Sequence, residues 1–130
     1  MKTLRIKGII FSGKGEASRF IELPWVKKQI VEKLGFVPHP GTLNLKLTKE
    51  ELRHRNLLEK AEAIEIPPIK GFNRGRCFKA RLMDKLKCAI VIPEIPNYPE
   101  NVIEVIAPTN LREKLQLRDG DSVEVKILME

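Results

Sequence analysis

The chain has 130 residues, which suits one domain (1–130) with a core that needs neither disulfides nor a structural metal. Two cysteines, Cys77 and Cys88, are too few for a disulfide framework or a four-ligand zinc site and read as reduced thiols. The net charge of +7 favours anionic partners, but an aromatic content of 5% and the lack of a basic tail weigh against nucleic acid. No apolar run approaches the roughly 18 residues of a membrane span and nothing resembles a signal peptide, so the expected location is cytoplasmic, with no membrane partner.

Residues 4–11, LRIKGIIF, alternate and then turn wholly apolar, as a strand does. SGKGEA (12–17) ends that strand as a loop, and 18–23 read as a second short strand with Phe20 and Ile21 near its centre. Pro24 suits the first turn of a helix. Val26, Ile30 and Leu34 then recur at helical spacing up to a stop at Gly35. Thr42, Asn44 and Lys46 alternate with Leu43, Leu45 and Leu47 in a half-buried strand with a polar face. Residues 49–60 suggest a polar helix, and 61–66 a strand stopped by Pro67 and Pro68. Strands follow at 76–82 and 86–92, the first with Phe78, Ala80 and Leu82 on one face, the second with Cys88, Ile90 and Ile92. A proline-rich loop, PEIPNYPEN (93–101), precedes an apolar strand at 102–107. TNLREKLQL reads as a short helix, RDGD as a turn, and VEVKIL as the last strand. The sum is a mainly β domain with short helices, better matched to a small barrel than to an α/β sandwich.

Three features carry chemistry. SGKGEA lacks the P-loop pattern, yet its glycines let backbone amides approach a diphosphate and Lys14 offers countercharge; a plain glycine-rich connection fits equally well. Thr42 and Asn44 project from one strand face, where their neutral oxygens suit a magnesium ion only if phosphates supply the negative charge; bonds to neighbouring backbone or water are the simpler reading. Glu104 interrupts an apolar strand on the face of Val102 and Ile106, lining a polar cavity or facing solvent at a barrel edge. His39 and His54 lack metal-ligand spacing, and Trp25 reads as a core anchor.

The ordered set GIIFSGKGEA (8–17), LPW (23–25), HPGTLNL (39–45), IEVIAP (103–108) and LREKLQLRDGD (111–121) resembles the archaeal CTP-dependent riboflavin kinase family across essentially the whole chain. The resemblance implies a six-stranded cradle-loop barrel. It implies phosphoryl transfer from CTP to the terminal ribityl hydroxyl of riboflavin, giving FMN and CDP. It implies that Ser12, Gly13, Lys14, Gly15, Glu16 and Ala17 cradle the nucleotide, with Thr109, Asn110, Leu111 and Arg112 as a second nucleotide segment. Thr42 and Asn44 match the family's magnesium pair, and Glu104 matches an acid on the flavin side. The expected reaction is a direct in-line transfer in which Lys14 stabilises phosphate charge and Glu104 orients or deprotonates the acceptor hydroxyl. The family's flavin-contacting threonine falls on Pro96 here, which has neither hydroxyl nor amide hydrogen; Asn97 or Tyr98 substitutes, or the flavin is held differently. Two alternatives remain at this stage. One is a DNA-binding module, because the C-terminal segment resembles swapped-hairpin barrels; the other is a catalytically inactive flavin- or nucleotide-binding relative.

Overall fold

The computed structural model describes residues 2–13 and 15–129. Seven strands and four α-helices follow in chain order: β1 (Thr3–Phe11), α1 (Glu16–Glu22), α2 (Pro24–Leu34), β2 (Leu43–Lys46), α3 (Leu52–Lys60), β3 (Ile64–Ile66), β4 (Gly75–Leu82), β5 (Leu86–Pro93), β6 (Val102–Ile106), α4 (Leu111–Leu115) and β7 (Ser122–Leu128). A single 3-10 turn, Lys49–Glu51, leads into α3.

Six of the strands close an antiparallel barrel in the order β4, β5, β6, β2, β1, β7 and back to β4. Closure comes from Ala80, Arg81 and Leu82 of β4 pairing with Ile127, Lys126 and Val125 of β7. The other half of that edge of β4 carries the short β3, through Gly75–Cys77 against Ile64–Ile66. Closing the ring leaves β1, β2 and β5–β7 without open edges, the usual solution to the unpaired-strand problem.

Strand alternation fills the interior. Ile6, Ile10, Leu45, Phe78, Leu82, Ile90, Ile103, Val125 and Ile127 point inward and are essentially inaccessible to water. A second core lies outside the ring. There α1 and α2 press Ala17, Phe20, Ile21, Val26 and Ile30 onto the outer faces of β4–β6, against Cys77, Ala89, Val91 and Ile106. This is why β5 is buried on both faces from Cys88 to Pro93 and reads as a continuous apolar run.

The expected strand at 18–23 is instead helix α1, which takes in Glu16 and Ala17 of the SGKGEA segment. Ala17, Phe20 and Ile21 lie at helical spacing and bury together, whereas a strand would send the adjacent Phe20 and Ile21 to opposite faces. Glu16 in the first turn and Arg19 in the last also complement the helix dipole. α2 runs as its spacing predicts and stops at Gly35, whose φ of 81° lies in the left-handed region. The barrel has its expected six strands, and the strand expected at 61–66 is the short β3 beside them.

Burial pushes the thiols of Cys77 and Cys88 up to about 12 each. The folded protein is therefore expected to leave Ellman's reagent unreacted at pH 8 and to release two equivalents of thiol once denatured. Labelling of the native protein at the rate of a free thiol would contradict the packing described for β4 and β5.

Candidate active site

The outer face of β6 turns polar at one position. Glu104 pairs across the sheet with Asn44 of β2 on one side and Val91 of β5 on the other. It shares its face with Ile106, as alternation predicts, but only 1% of it is exposed, so it does not face solvent. A carboxylate buried to this degree needs donors, and three converge on it. The backbone N–H of Ala17 donates to Oε2 at 2.9 Å, and the hydroxyl of Tyr98 donates to the same oxygen at 2.6 Å. Thr42 Oγ1 lies 2.8 Å from Oε1.

Thr42 and Asn44 do share a face, and that face meets Glu104. Thr42 Oγ1 is also 2.9 Å from Asn44 Oδ1, while Asn44 Nδ2 donates to the carbonyl of Gly13 at 2.8 Å and so turns its oxygen towards the threonine. The threonine hydroxyl carries one hydrogen, which serves only one of these two acceptors. Thr42 Oγ1, Asn44 Oδ1 and Glu104 Oε1 are thus three oxygens sharing one proton. Asn44 is 4% exposed, so water contributes little there. Such a donor-poor group of hard oxygens fits a small divalent cation. Among the described residues no cluster of three His, Cys, Asp or Glu side chains competes for that role.

The N-terminal loop is held from three directions. Gly13 is bound by Asn44 and Ala17 by Glu104. Ser12 Oγ lies 2.8–2.9 Å from both carboxylate oxygens of Asp119, to which Arg112 Nη2 also donates at 2.7 Å. The Arg112 hydrogen bond, followed by that of Ser12, holds the Asp119 carboxyl below the usual carboxylate range. Gly15 has a steric reason to be glycine: a Cβ there would fall on the carboxylate of Glu104. Lys14 lies outside the described residues. Glu16 is exposed on α1.

A cavity of about 150 Å³ opens beside Thr42, walled by Gly41, Asn110, Leu111 and Arg112, with His39 and Thr109 at its margin. The second expected nucleotide segment therefore faces Gly41 and Thr42 across one space. Asn110 also caps α4, its Oδ1 accepting from the N–H of Glu113 at 3.2 Å. The flavin-side residues separate. Tyr98 reaches Glu104, whereas Pro96 and Asn97 are exposed on the loop, Asn97 with a φ of 63°. Burial first, and then the neighbouring Glu104 carboxylate, raise the Tyr98 phenol far above its ordinary range, so it remains a donor. His54 lies beside Glu51 at 3.3 Å, on the turn into α3. Sequence reasoning missed Asp119, which lies 107 residues from Ser12 with no spacing signal to link them.

Residues 10–127 match the family model labelled CTP-dep_RFKase and described as Domain of unknown function DUF120. The chain belongs to this family. It is 44% identical over 131 residues to a riboflavin kinase of Archaeoglobus fulgidus, a match covering 98% of this chain and 56% of that protein. It is 42% identical over 134 residues to a riboflavin kinase of Pyrobaculum aerophilum, covering 98% and 62% respectively. A riboflavin kinase of Methanosarcina barkeri is 38% identical over 128 residues, covering 95% of this chain and 56% of its own length. The chain thus spans somewhat more than half the length of these relatives. Within the C-terminal β6–α4–β7 segment, Arg112 and Asp119 hold Ser12 of the N-terminal loop.

Gly15→Ala is expected to destabilise the fold by about 1–3 kcal/mol in urea unfolding, because the new methyl must displace a buried carboxylate. The loss should shrink in a Glu104→Ala background, where the space is free. Equal losses in both backgrounds would show that the contact does not matter.

Proposed function

We propose that the chain transfers the γ-phosphoryl group of CTP to the terminal ribityl hydroxyl of riboflavin, giving FMN and CDP. The observation that carries this reading is the buried oxygen cluster of Glu104, Thr42 and Asn44, bonded to Gly13 and Ala17 of the N-terminal loop, with Thr42 lining the adjoining cavity. The family label and the names of the relatives support the choice of CTP and riboflavin.

In this reading the donor phosphates lie along Ser12–Ala17, with Arg112 and the 109–112 segment closing the cavity around the nucleoside. Lys14 supplies further positive charge to the phosphates. Thr42 and Asn44 would hold a magnesium ion, which would neutralise phosphate charge. Thr42, donating its proton to Glu104, would still have lone-pair capacity for such an ion.

The acceptor oxygen attacks the γ-phosphorus in line, and the bond from that phosphorus to the β–γ bridging oxygen breaks, leaving CDP. No covalent phosphoenzyme forms. Glu104 Oε2 takes a hydrogen bond from Tyr98 in the ligand-free protein, and the acceptor hydroxyl makes the same kind of bond when it arrives. Glu104 then aims the hydroxyl at phosphorus and receives its proton as the new P–O bond forms. Tyr98 takes the place of the threonine that the family resemblance sets at Pro96.

Two tests apply. Purified protein with riboflavin and magnesium should form FMN and an equal amount of CDP when given CTP, and far less FMN with ATP, GTP or UTP, as read by chromatography. The double variant Thr42→Ala/Asn44→Ala should remain folded and lose about 10²-fold in kcat/KM, with part of the loss recovered at high magnesium. An unchanged magnesium dependence in that variant would remove both residues from the metal's environment.

A further inference from the structure

The turn between α4 and β7 brings a carboxylate to the edge of the site. Backbone hydrogen bonds fix that turn to the end of β1: the N–H of Gly120 donates to the carbonyl of Ile10 at 2.8 Å, and the N–H of Ile10 to that of Asp121 at 2.9 Å. The side chain of Asp121 is used within the turn, its Oδ2 accepting from the N–H of Arg118 at 2.7 Å. Asp119 instead reaches Ser12 and Arg112. Ser12 follows β1 and Arg112 lies in the first turn of α4, so one carboxylate ties together two segments 100 residues apart.

This pair is too exposed to matter much for stability. The Arg112 and Asp119 side chains are 35% and 54% accessible, and ion pairs so open to water contribute little. Their geometry is nonetheless closely specified. Arg112 Nη2 donates to Asp119 Oδ1 at 2.7 Å and lies 3.3 Å from both Ser12 Oγ and the carbonyl of Phe11. Three acceptors gather on one nitrogen. Among the described residues, Nε and Nη1 of the same guanidinium meet no acceptor. Arg112 also walls the cavity beside Thr42 and Asn110. A guanidinium with one nitrogen anchored and the others unspent, at a cavity wall, is ready for a second anion. Much of the rotamer freedom that an arginine gives up on binding is already lost here.

We propose that Asp119 is a positioning residue: by holding Nη2 of Arg112 together with Ser12, it aims the remaining N–H groups of Arg112 at an anionic group of the donor nucleotide. That the anion belongs to a nucleotide rests on the kinase reading. Asp119 does not have to leave for this to happen, because the nitrogen it holds is not one of those left open. Its own charge is answered by Ser12 and Arg112 before a ligand arrives. The opposite role, a carboxylate that occupies Arg112 and must be displaced, carries the opposite sign on binding.

Asp119→Asn, Asp119→Ala, Arg112→Ala and the double variant Asp119→Ala/Arg112→Ala are compared with wild type, each checked by circular dichroism and urea unfolding. Binding of CTP with magnesium is followed by calorimetry without riboflavin, and FMN formation gives kcat and KM on the same preparations. Asp119→Ala is expected to weaken CTP about tenfold and to raise its KM to match, with kcat and the KM for riboflavin within about twofold of wild type. Asp119→Asn, whose amide oxygen still accepts from Arg112, should recover part of that loss, and its weaker CTP binding remains the test if the alanine variant does not fold. The double variant should bind CTP no more weakly than Arg112→Ala alone. Tighter binding on loss of Asp119 would overturn the proposal and make the carboxylate a competitor of the nucleotide. Wild-type binding in a folded Asp119→Ala, or additive losses in the double variant, would overturn it as well. If wild type binds CTP but forms no FMN, the kinase reading fails, while non-additive binding losses still support the positioning role.

Discussion

A carboxylate with almost no access to water governs this structure. Isolated in an apolar surface, Glu104 would cost several kcal/mol to bury ionised. The fold meets that cost by drawing donors from three separate places: the first turn of α1, the residue before β2 and the loop before β6. Each donor brings its segment with it. The loop before α1, the Thr42–Asn44 pair and the proline-rich loop before β6 are therefore arranged by the needs of one charge, and Gly15 leaves the space in which that charge fits.

The barrel supplies the rigidity for this. Its interior is filled by aliphatic and aromatic side chains and the Cys88 thiol, so chemistry is displaced to the outside of the ring. There α1 and α2 exclude water over β4–β6 and end at the edge of the polar patch. The boundary between an apolar outer core and a polar cluster falls on β6 itself, between Ile106 and Glu104. A short helix laid on a closed sheet thus creates a dry environment for the carboxylate.

Most of the fold was legible because short strands with clean alternation have little other use. β1, β2, β4, β5, β6 and β7 fall within a residue or two of their expected bounds, and α2 follows its four-residue spacing. The segment 18–23 was misread because an apolar pair flanked by polar residues fits a short strand or a short helix equally well; packing of Phe20 and Ile21 onto one surface decides it. In the site, alternation put Glu104 on the correct face, and the pairing of Thr42 with Asn44 was visible in GTLN. What alternation could not provide was the environment. Partners 62 and 87 residues away turn a possible edge acid into a buried, fully engaged one. The clip from Asp119 to Ser12 and the role of Tyr98 have the same origin in tertiary contact, and so does the steric demand on Gly15.

The central claim is that the negative charge of Glu104 acts on the acceptor alcohol as well as organising the loops. Turnover of riboflavin with CTP and magnesium by wild type and Glu104→Gln, measured across pH on samples shown to be equally folded, tests it most directly. The account predicts a fall of about 10²–10⁴ in kcat for the amide, which keeps the shape but cannot receive the proton. Wild-type turnover in Glu104→Gln at every pH would contradict it and reduce Glu104 to a structural anchor for the loop.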